Sequence, residues 1–251
     1  MPTVLLLRHG RSTANTAGLL AGRTPGVLLD DVGRGQVEAL ARRLAVVPLA
    51  AVVSSPVQRC VDTAEAVRAV DGPRGPRGTL ARRPDLVLDQ RLSECDYGDW
   101  TNRPLKELLK EPEWVVVQQH PSAAQFPGGE ALREVQARAV EAVREHDARL
   151  RREVGENAVW VAVTHGDVIK ALVADAVGSH LDTFQRIVAD PASVTAVRYT
   201  RTRPFLLRLN DTGGELTGLV PPPRSRSRRG AASTSDAVVG GGAGAEPDRR
   251  G

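Results

Sequence analysis

Four short stretches hold residues suited to handling an oxyanion. They are Arg8-His9-Gly10 in VLLLRHGRST, Ser54-Ser55-Pro56 running on to Arg59, Leu92-Ser93-Glu94, and Thr164-His165-Gly166. Brought together, they would set two arginines, two histidines and a glutamate in one pocket. Guanidinium forks match a tetrahedral oxyanion, and bidentate phosphate recognition is their best-fitted task. An imidazole beside guanidiniums stays neutral, because their charge opposes its protonation and leaves a ring lone pair free to attack phosphorus. Glu94 is then the one group of the set able to hand a proton to a departing oxygen. Each residue alone is a weak signal. A strand-end arginine is more often a surface residue, His165 before glycine can simply cap a helix, and Glu94 can simply pair with an arginine. Their recurrence at four successive strand ends carries the reading. Two histidines and a carboxylate also form a common zinc shell. Two arginines in the same pocket would repel a divalent cation, and no His-Glu-x-x-His pairing occurs. No metal is expected.

The elements that must position these residues alternate along the chain. Apolar or alternating runs predict strands over Thr3–Leu7, Ala50–Ser54, Asp85–Leu88, Ala158–Thr164, Ser193–Tyr199 and Phe205–Leu209. Helical patterns fill 31–46, 56–69, 130–153 and 166–177. In the third of these, Leu132, Val135, Ala139, Val143, His146 and Leu150 recur at three- and four-residue steps and make one apolar stripe. Alternating strands and helices predict a three-layer α/β/α sandwich around a mostly parallel sheet. The last two strands are joined by too few residues for a crossover, so they are expected to pair antiparallel, giving an antiparallel edge strand. Ligands of such sheets bind beyond the carboxyl ends of the strands, which is where the four stretches fall.

Composition narrows the function classes. The chain has 251 residues, of which 34 are basic and 30 acidic. Six arginines and three acidic residues fall in 221–251, which leaves 28 basic and 27 acidic residues in 1–220. The net positive charge therefore belongs to the tail, and a nucleic-acid surface on the body is not expected. Residues 221–251, rich in Pro, Gly, Ser and Arg, are expected to be a disordered tail behind a domain spanning 1–220. DGPRGPRG at 71–78 reads as a surface loop. No apolar run approaches the ~20 residues of a membrane helix, so no membrane partner is expected. The amino terminus shows neither a basic leader nor a small-residue cleavage site, and the expected location is cytoplasmic. Cys60 and Cys95 suggest no disulfide framework. A redox pair formed by these two thiols is less expected than inert thiols.

With these residues in order, the chain resembles the histidine phosphatase superfamily, the phosphoglycerate-mutase-like fold. LLLRHGRSTAN carries its Arg-His-Gly hallmark. SSPVQRCVDTAEA resembles its Ser-Ser-Pro…Arg…Thr-Ala stretch, LSECDYGDW its Leu-x-Glu…Gly-x-Trp segment, and FPGGEAL its Pro-Gly-Gly-Glu-Ser element with Ala131 replacing the serine. VTHGDVIKAL supplies the second histidine, and the resemblance spans about residues 3–215. It implies that His9 is the nucleophile and forms a phosphohistidine. Arg8, Arg59 and His165 would hold the phosphoryl group, and Glu94 would act as general acid and then base. It further implies that Ser12, Asn15 and Gly22 help bind phosphate and that Tyr97 contacts substrate. No metal or organic cofactor is implied, the substrate is a small phosphorylated metabolite, and a homodimer fits the family.

Departures from the mutases bear on the reaction. Between Pro104 and Leu132 there are only Lys106 and Lys110, and no arginine pair to hold a substrate carboxylate. Asp96 stands where the mutases have a base. Phosphatase is therefore expected over phosphomutase, with a non-catalytic phosphate-binding scaffold as a third class. The 97–130 segment with Trp100, Trp114 and Phe126 is expected to cover the pocket or to pack. His120, His146 and His180 are expected at structural or surface positions. Asp167 is expected in the first turn of a helix, where a carboxylate suits the dipole.

Overall fold

The computed structural model describes residues 2–72 and 84–213. Most of the expected 71–78 loop and all of the expected 221–251 tail lie outside the described residues. Among the described residues six strands form one sheet: β1 Thr3–Arg8, β2 Leu49–Ser54, β3 Leu86–Leu88, β4 Val159–Thr164, β5 Val194–Tyr199 and β6 Pro204–Asp211. Their order is β3-β2-β4-β1-β5-β6. The first four strands run parallel, β5 is antiparallel to β1, and β6 is antiparallel to β5. The one reversed strand is thus β5, a place in from the edge.

Among the described residues seven α-helices accompany the sheet: α1 Thr13–Ala17, α2 Asp31–Leu44, α3 Gln58–Ala69, α4 Leu105–Leu108, α5 Trp114–Gln119, α6 Leu132–Glu153 and α7 Gly166–Ala176. The six expected strands and four expected helices all form, with ends within two residues of the expected ones. The three helices without a sequence signal, α1, α4 and α5, are four to six residues long. Segments that short hold too few turns for a stripe to stand out.

Side-chain alternation along the central strands builds two cores. Val4 and Leu6 of β1, Val53 of β2, and Trp160 and Ala162 of β4 face α6 and α7. Leu5 and Leu7, Val52, and Val161 and Val163 face α2 and α3. Because these strands are apolar on both faces, they read in sequence as unbroken apolar runs. The layers are therefore helix, sheet, helix. The aromatic residues of the 97–130 segment pack rather than cover the pocket. Trp100 stacks on Trp114 with ring centroids 5.9 Å apart, and Phe126 meets Trp100 and Tyr97 edge-on at 5.4 and 4.9 Å. All four are buried in the larger core. This cluster roots the loop that follows Glu94.

Among the described residues, no helix is long and apolar enough to cross a membrane.

Candidate active site

Strand register brings the two histidines together. Arg8 of β1 is the partner of Thr164 of β4, so the next residue on each strand, His9 and His165, leaves the sheet beside the other. The His9 backbone N–H donates to the Thr164 carbonyl at 3.1 Å, and the ring centroids lie 5.2 Å apart. Gly10 follows because the chain there passes against α2. A Cβ on Gly10 would sit 2.6 Å from both the Gly33 carbonyl oxygen and Val37 Cγ2.

Arg59, in the first turn of α3, links both histidines. Its Nε–H donates to His9 Nε2 at 3.0 Å, and Nη2–H donates to His165 Nδ1 at 3.2 Å and to the Gly22 carbonyl at 2.8 Å. Its Nη1 is buried and has no hydrogen-bond partner among the described residues. A buried donor left open is costly, and an oxyanion is the natural group to fill it. Thr63, one turn on, accepts from the Gly10 N–H and donates to the Arg59 carbonyl, which ties α3 to the β1 loop. Arg8 is fully buried and donates Nη1–H to the Ala189 carbonyl at 2.7 Å.

The ring nitrogens have separate tasks. His9 Nδ1 lies 2.7 Å from the Gly10 carbonyl, which can only accept, so Nδ1 carries the proton and Nε2 the lone pair. His165 Nδ1 accepts from Arg59, so Nε2–H donates to Ser55 Oγ at 2.9 Å. Burial, and then the Arg59 charge, holds both imidazoles well below their ordinary pKa; Arg8 adds to this at His9. Both rings are therefore neutral.

Glu94 is buried, with Oε2 3.8 Å from His165 Nδ1 and Oε1 accepting from the Cys95 N–H at 3.0 Å. Burial and then the Asp167 carboxylate push its pKa up to about 7, against the opposing pull of Arg59 and Arg8. A carboxyl poised there both gives and takes a proton near neutrality.

The remaining expected site residues occupy defined places. Gly22 adopts a left-handed φ of 52° and presents its carbonyl to Arg59. Ser12 and Asn15 engage each other as a capping box on α1. Asn15 Oδ1 accepts from the Ser12 N–H and hydroxyl, and Ser12 Oγ accepts from the Asn15 N–H. Tyr97 is buried with its hydroxyl donating to Asp167 Oδ2 at 2.9 Å. Asp167 lies in the first turn of α7 as expected, fully buried, with Oδ2 accepting from the Tyr97 hydroxyl and Oδ1 3.4 Å from Lys170 Nζ. His146 pairs with Asp89 inside the fold, and His180 lies exposed beside Asp182. The two cysteines belong to different cores, Cys60 on the α2–α3 side and Cys95 on the α6–α7 side.

Comparison with known proteins then decides the lineage. The sequence profile of the histidine phosphatase superfamily, branch 1, matches residues 4–212. The chain belongs to the histidine phosphatase superfamily. Among its relatives, phosphoserine phosphatase 1 of Hydrogenobacter thermophilus is 28% identical over 84% of this chain and 93% of that protein. A glucosyl-3-phosphoglycerate phosphatase of Mycolicibacterium vanbaalenii is 29% identical over 72% of this chain and 76% of its own length. The solved structure of Bacillus stearothermophilus YhfR superposes with a TM-score of 0.70 at 29% identity, covering 84% of this chain and 98% of that one. In this member of the superfamily the phosphoglycerate-mutase-like architecture expected from sequence is the one present.

Two residues that touch the expected set carry no local signal of it: Ser55 accepts from His165 Nε2, and Thr63 accepts from the Gly10 N–H. Ser55 and Thr63 lie inside the quoted Ser-Ser-Pro…Thr-Ala stretch, but their partners, His165 and Gly10, are distant in sequence.

Proposed function

We propose that this histidine phosphatase hydrolyses small phosphomonoesters through a phosphohistidine on His9, with no metal or organic cofactor. The observation that carries the reading is the orientation of His9. Its Nδ1 is tied to the Gly10 carbonyl, and its unprotonated Nε2 points at the Arg59 guanidinium, where an oxyanion would be held.

In the first step Nε2 attacks phosphorus and the bond to the ester oxygen breaks. Arg8, Arg59 and His165 hold the phosphoryl oxygens, and Glu94, protonated, gives its proton to the leaving alkoxide. In the second step the Glu94 carboxylate takes a proton from water. The water oxygen bonds to phosphorus, and the phosphorus–nitrogen bond breaks to return His9 and release phosphate. The positive end of α7, starting behind His165, favours the same anion. Relatives named for phosphoserine and for glucosyl-3-phosphoglycerate support a small metabolite ester as substrate.

The test is phosphate release from a panel of phosphomonoesters in EDTA between pH 5 and 8, with His9→Ala alongside. Metal-independent release, lost in the variant together with acid-labile phosphate on the protein, is the expected result. Turnover by His9→Ala above a few per cent, or a requirement for added magnesium, would overturn the reading.

A further inference from the structure

We infer that Arg138 and Arg23, locked together by Glu130, are positioning residues for the general acid, acting through the peptide bond between Glu94 and Cys95. The inference rests on the proposed role of Glu94.

That one peptide unit is held at both ends. At its carbonyl end, the Glu94 oxygen accepts from Arg23 Nε at 2.8 Å and from Arg138 Nη2 at 3.1 Å. At its amide end, the Cys95 N–H donates to Oε1 of the Glu94 side chain itself at 3.0 Å. The two ends of a peptide point in opposite directions on one plane. Rotation that frees the carbonyl therefore carries the N–H away from the carboxyl group. Two guanidiniums drawing on the carbonyl also polarise the peptide and strengthen the hydrogen bond that its N–H makes at the other end.

The clamp is over-built for a surface contact. Arg138 Nη1 also donates to the carbonyls of Arg91 and Ser93 at 2.7 and 2.8 Å, so one side chain gathers three carbonyls of the acid loop. Glu130 fixes the fork from behind, with Oε1 on Arg138 Nε at 2.9 Å and Oε2 on Nη2 at 3.0 Å. The same Oε2 takes Arg23 Nη2 at 2.6 Å and the Asp96 N–H at 2.9 Å. Glu130 can approach because its neighbour has no side chain. A Cβ on Gly129 would lie 2.3 Å from the Asp96 carbonyl oxygen. Arginine is required at 138, since only a planar fork serves a carboxylate and three carbonyls at once.

A displaced acid and a damaged fold have different kinetic signatures. An alkoxide leaving group needs the proton from Glu94, whereas p-nitrophenolate departs without it. The experiment measures kcat/KM at pH 6 for glycerol 2-phosphate and for p-nitrophenyl phosphate in wild type, Glu94→Gln, Arg138→Met and Arg23→Met. General acids contribute 10²–10⁴-fold. Arg138→Met is therefore expected to lose at least ~10-fold more on the alkyl ester than on the aryl ester, in the direction of Glu94→Gln, with Arg23→Met a smaller loss of the same selectivity. If Arg138→Met fails to fold, the more exposed Arg23 decides by the same ratio. Equal losses on both esters, or none, in the arginine variants while Glu94→Gln is selective would overturn the inference and leave the function standing. An unselective Glu94→Gln would instead remove the acid role, and the inference with it.

Discussion

The Tyr97 hydroxyl donates to Asp167 Oδ2 across 2.9 Å, and this bond ties the loop carrying Glu94 to the helix that begins behind His165. Each partner lies a few residues beyond a group of the proposed chemistry. Glu94 and Tyr97 share one loop, and His165 and Asp167 share one helix start. Two segments far apart in sequence are thereby fixed relative to each other at full burial. Asp167 makes further contact with Lys170 Nζ at 3.4 Å.

The same carboxylate is the largest charge effect on Glu94, second only to burial in raising its pKa to about 7. Asp167→Asn keeps the shape and an acceptor for Tyr97 while removing the negative charge. The pKa of Glu94 then falls. Since the proposed first step needs Glu94 protonated, the alkaline limb of the kcat/KM profile is expected to move to lower pH, by roughly half a unit or more. A limb that stays put, in an enzyme otherwise active, would show that Asp167 serves packing alone.

Glu94 also sets a stability cost. Its carboxyl binds the proton more tightly in the folded protein than in the unfolded chain, where the ordinary value is near 4.5. Between that value and about 7 the unfolded chain loses the proton and the folded one keeps it. Stability therefore falls as pH rises through this window, by up to a few kcal/mol, and the deficit is complete above it. Glu94→Gln removes the ionisation. It should unfold at a higher temperature than wild type at pH 8, with the gap closing towards pH 4.5, while turnover on alkyl esters is lost. Calorimetry at the two pH values checks this, and a gap independent of pH would refute it.

Legibility in the sequence divides along a physical line. The β1 and β4 runs are apolar on both faces because helices cover both sides of the sheet, so VLLL and VWVAV announce buried strands and the residues after them announce loops at strand ends. Arg8 ends β1, and His9 and His165 directly follow such runs. Arg59 lies within the first turn of α3, and Glu94 comes six residues after the largely exposed β3, so quoted stretches rather than strand ends nominate those two. Their convergence depends on register, such as Arg8 opposite Thr164, which no local pattern encodes. Glu130 and Arg138 were hidden for a related reason: what they grip is main chain, and a carbonyl looks the same in every residue. Tyr97, expected to touch substrate, has its hydroxyl committed to Asp167, a partner 70 residues away.

Gly10 tests how closely the loop after His9 is fitted to α2. A methyl group there would meet the Gly33 carbonyl and Val37 Cγ2 at 2.6 Å, and backbone cannot yield as a side chain tip does. Gly10→Ala is expected to cost about 2–3 kcal/mol, as overpacking does. It should also weaken the His9 Nδ1 bond to the residue-10 carbonyl, so that kcat falls by more than KM rises. Thermal unfolding with steady-state kinetics reads both, and a variant as stable and active as wild type would show that α2 moves freely.

The surroundings of Cys60 pull its thiol in opposite directions. Its Sγ lies 3.4 Å from His165 Nε2, and the Arg59 charge nearby favours a thiolate, an arrangement that elsewhere activates cysteines. Burial outweighs both and pushes the thiol up to about 12. His165 is itself neutral and has Nε2 committed to Ser55, so it takes no proton from the sulfur. Cys95 is likewise buried, and its pKa is raised well above the ordinary thiol value. The native protein is therefore expected to resist a disulfide reagent such as 5,5′-dithiobis(2-nitrobenzoate) at pH 8 and to react at both cysteines only after denaturation. Rapid labelling of Cys60 in the folded state, with loss of phosphatase turnover, would mean that the site opens around α3 far more readily than its packing implies.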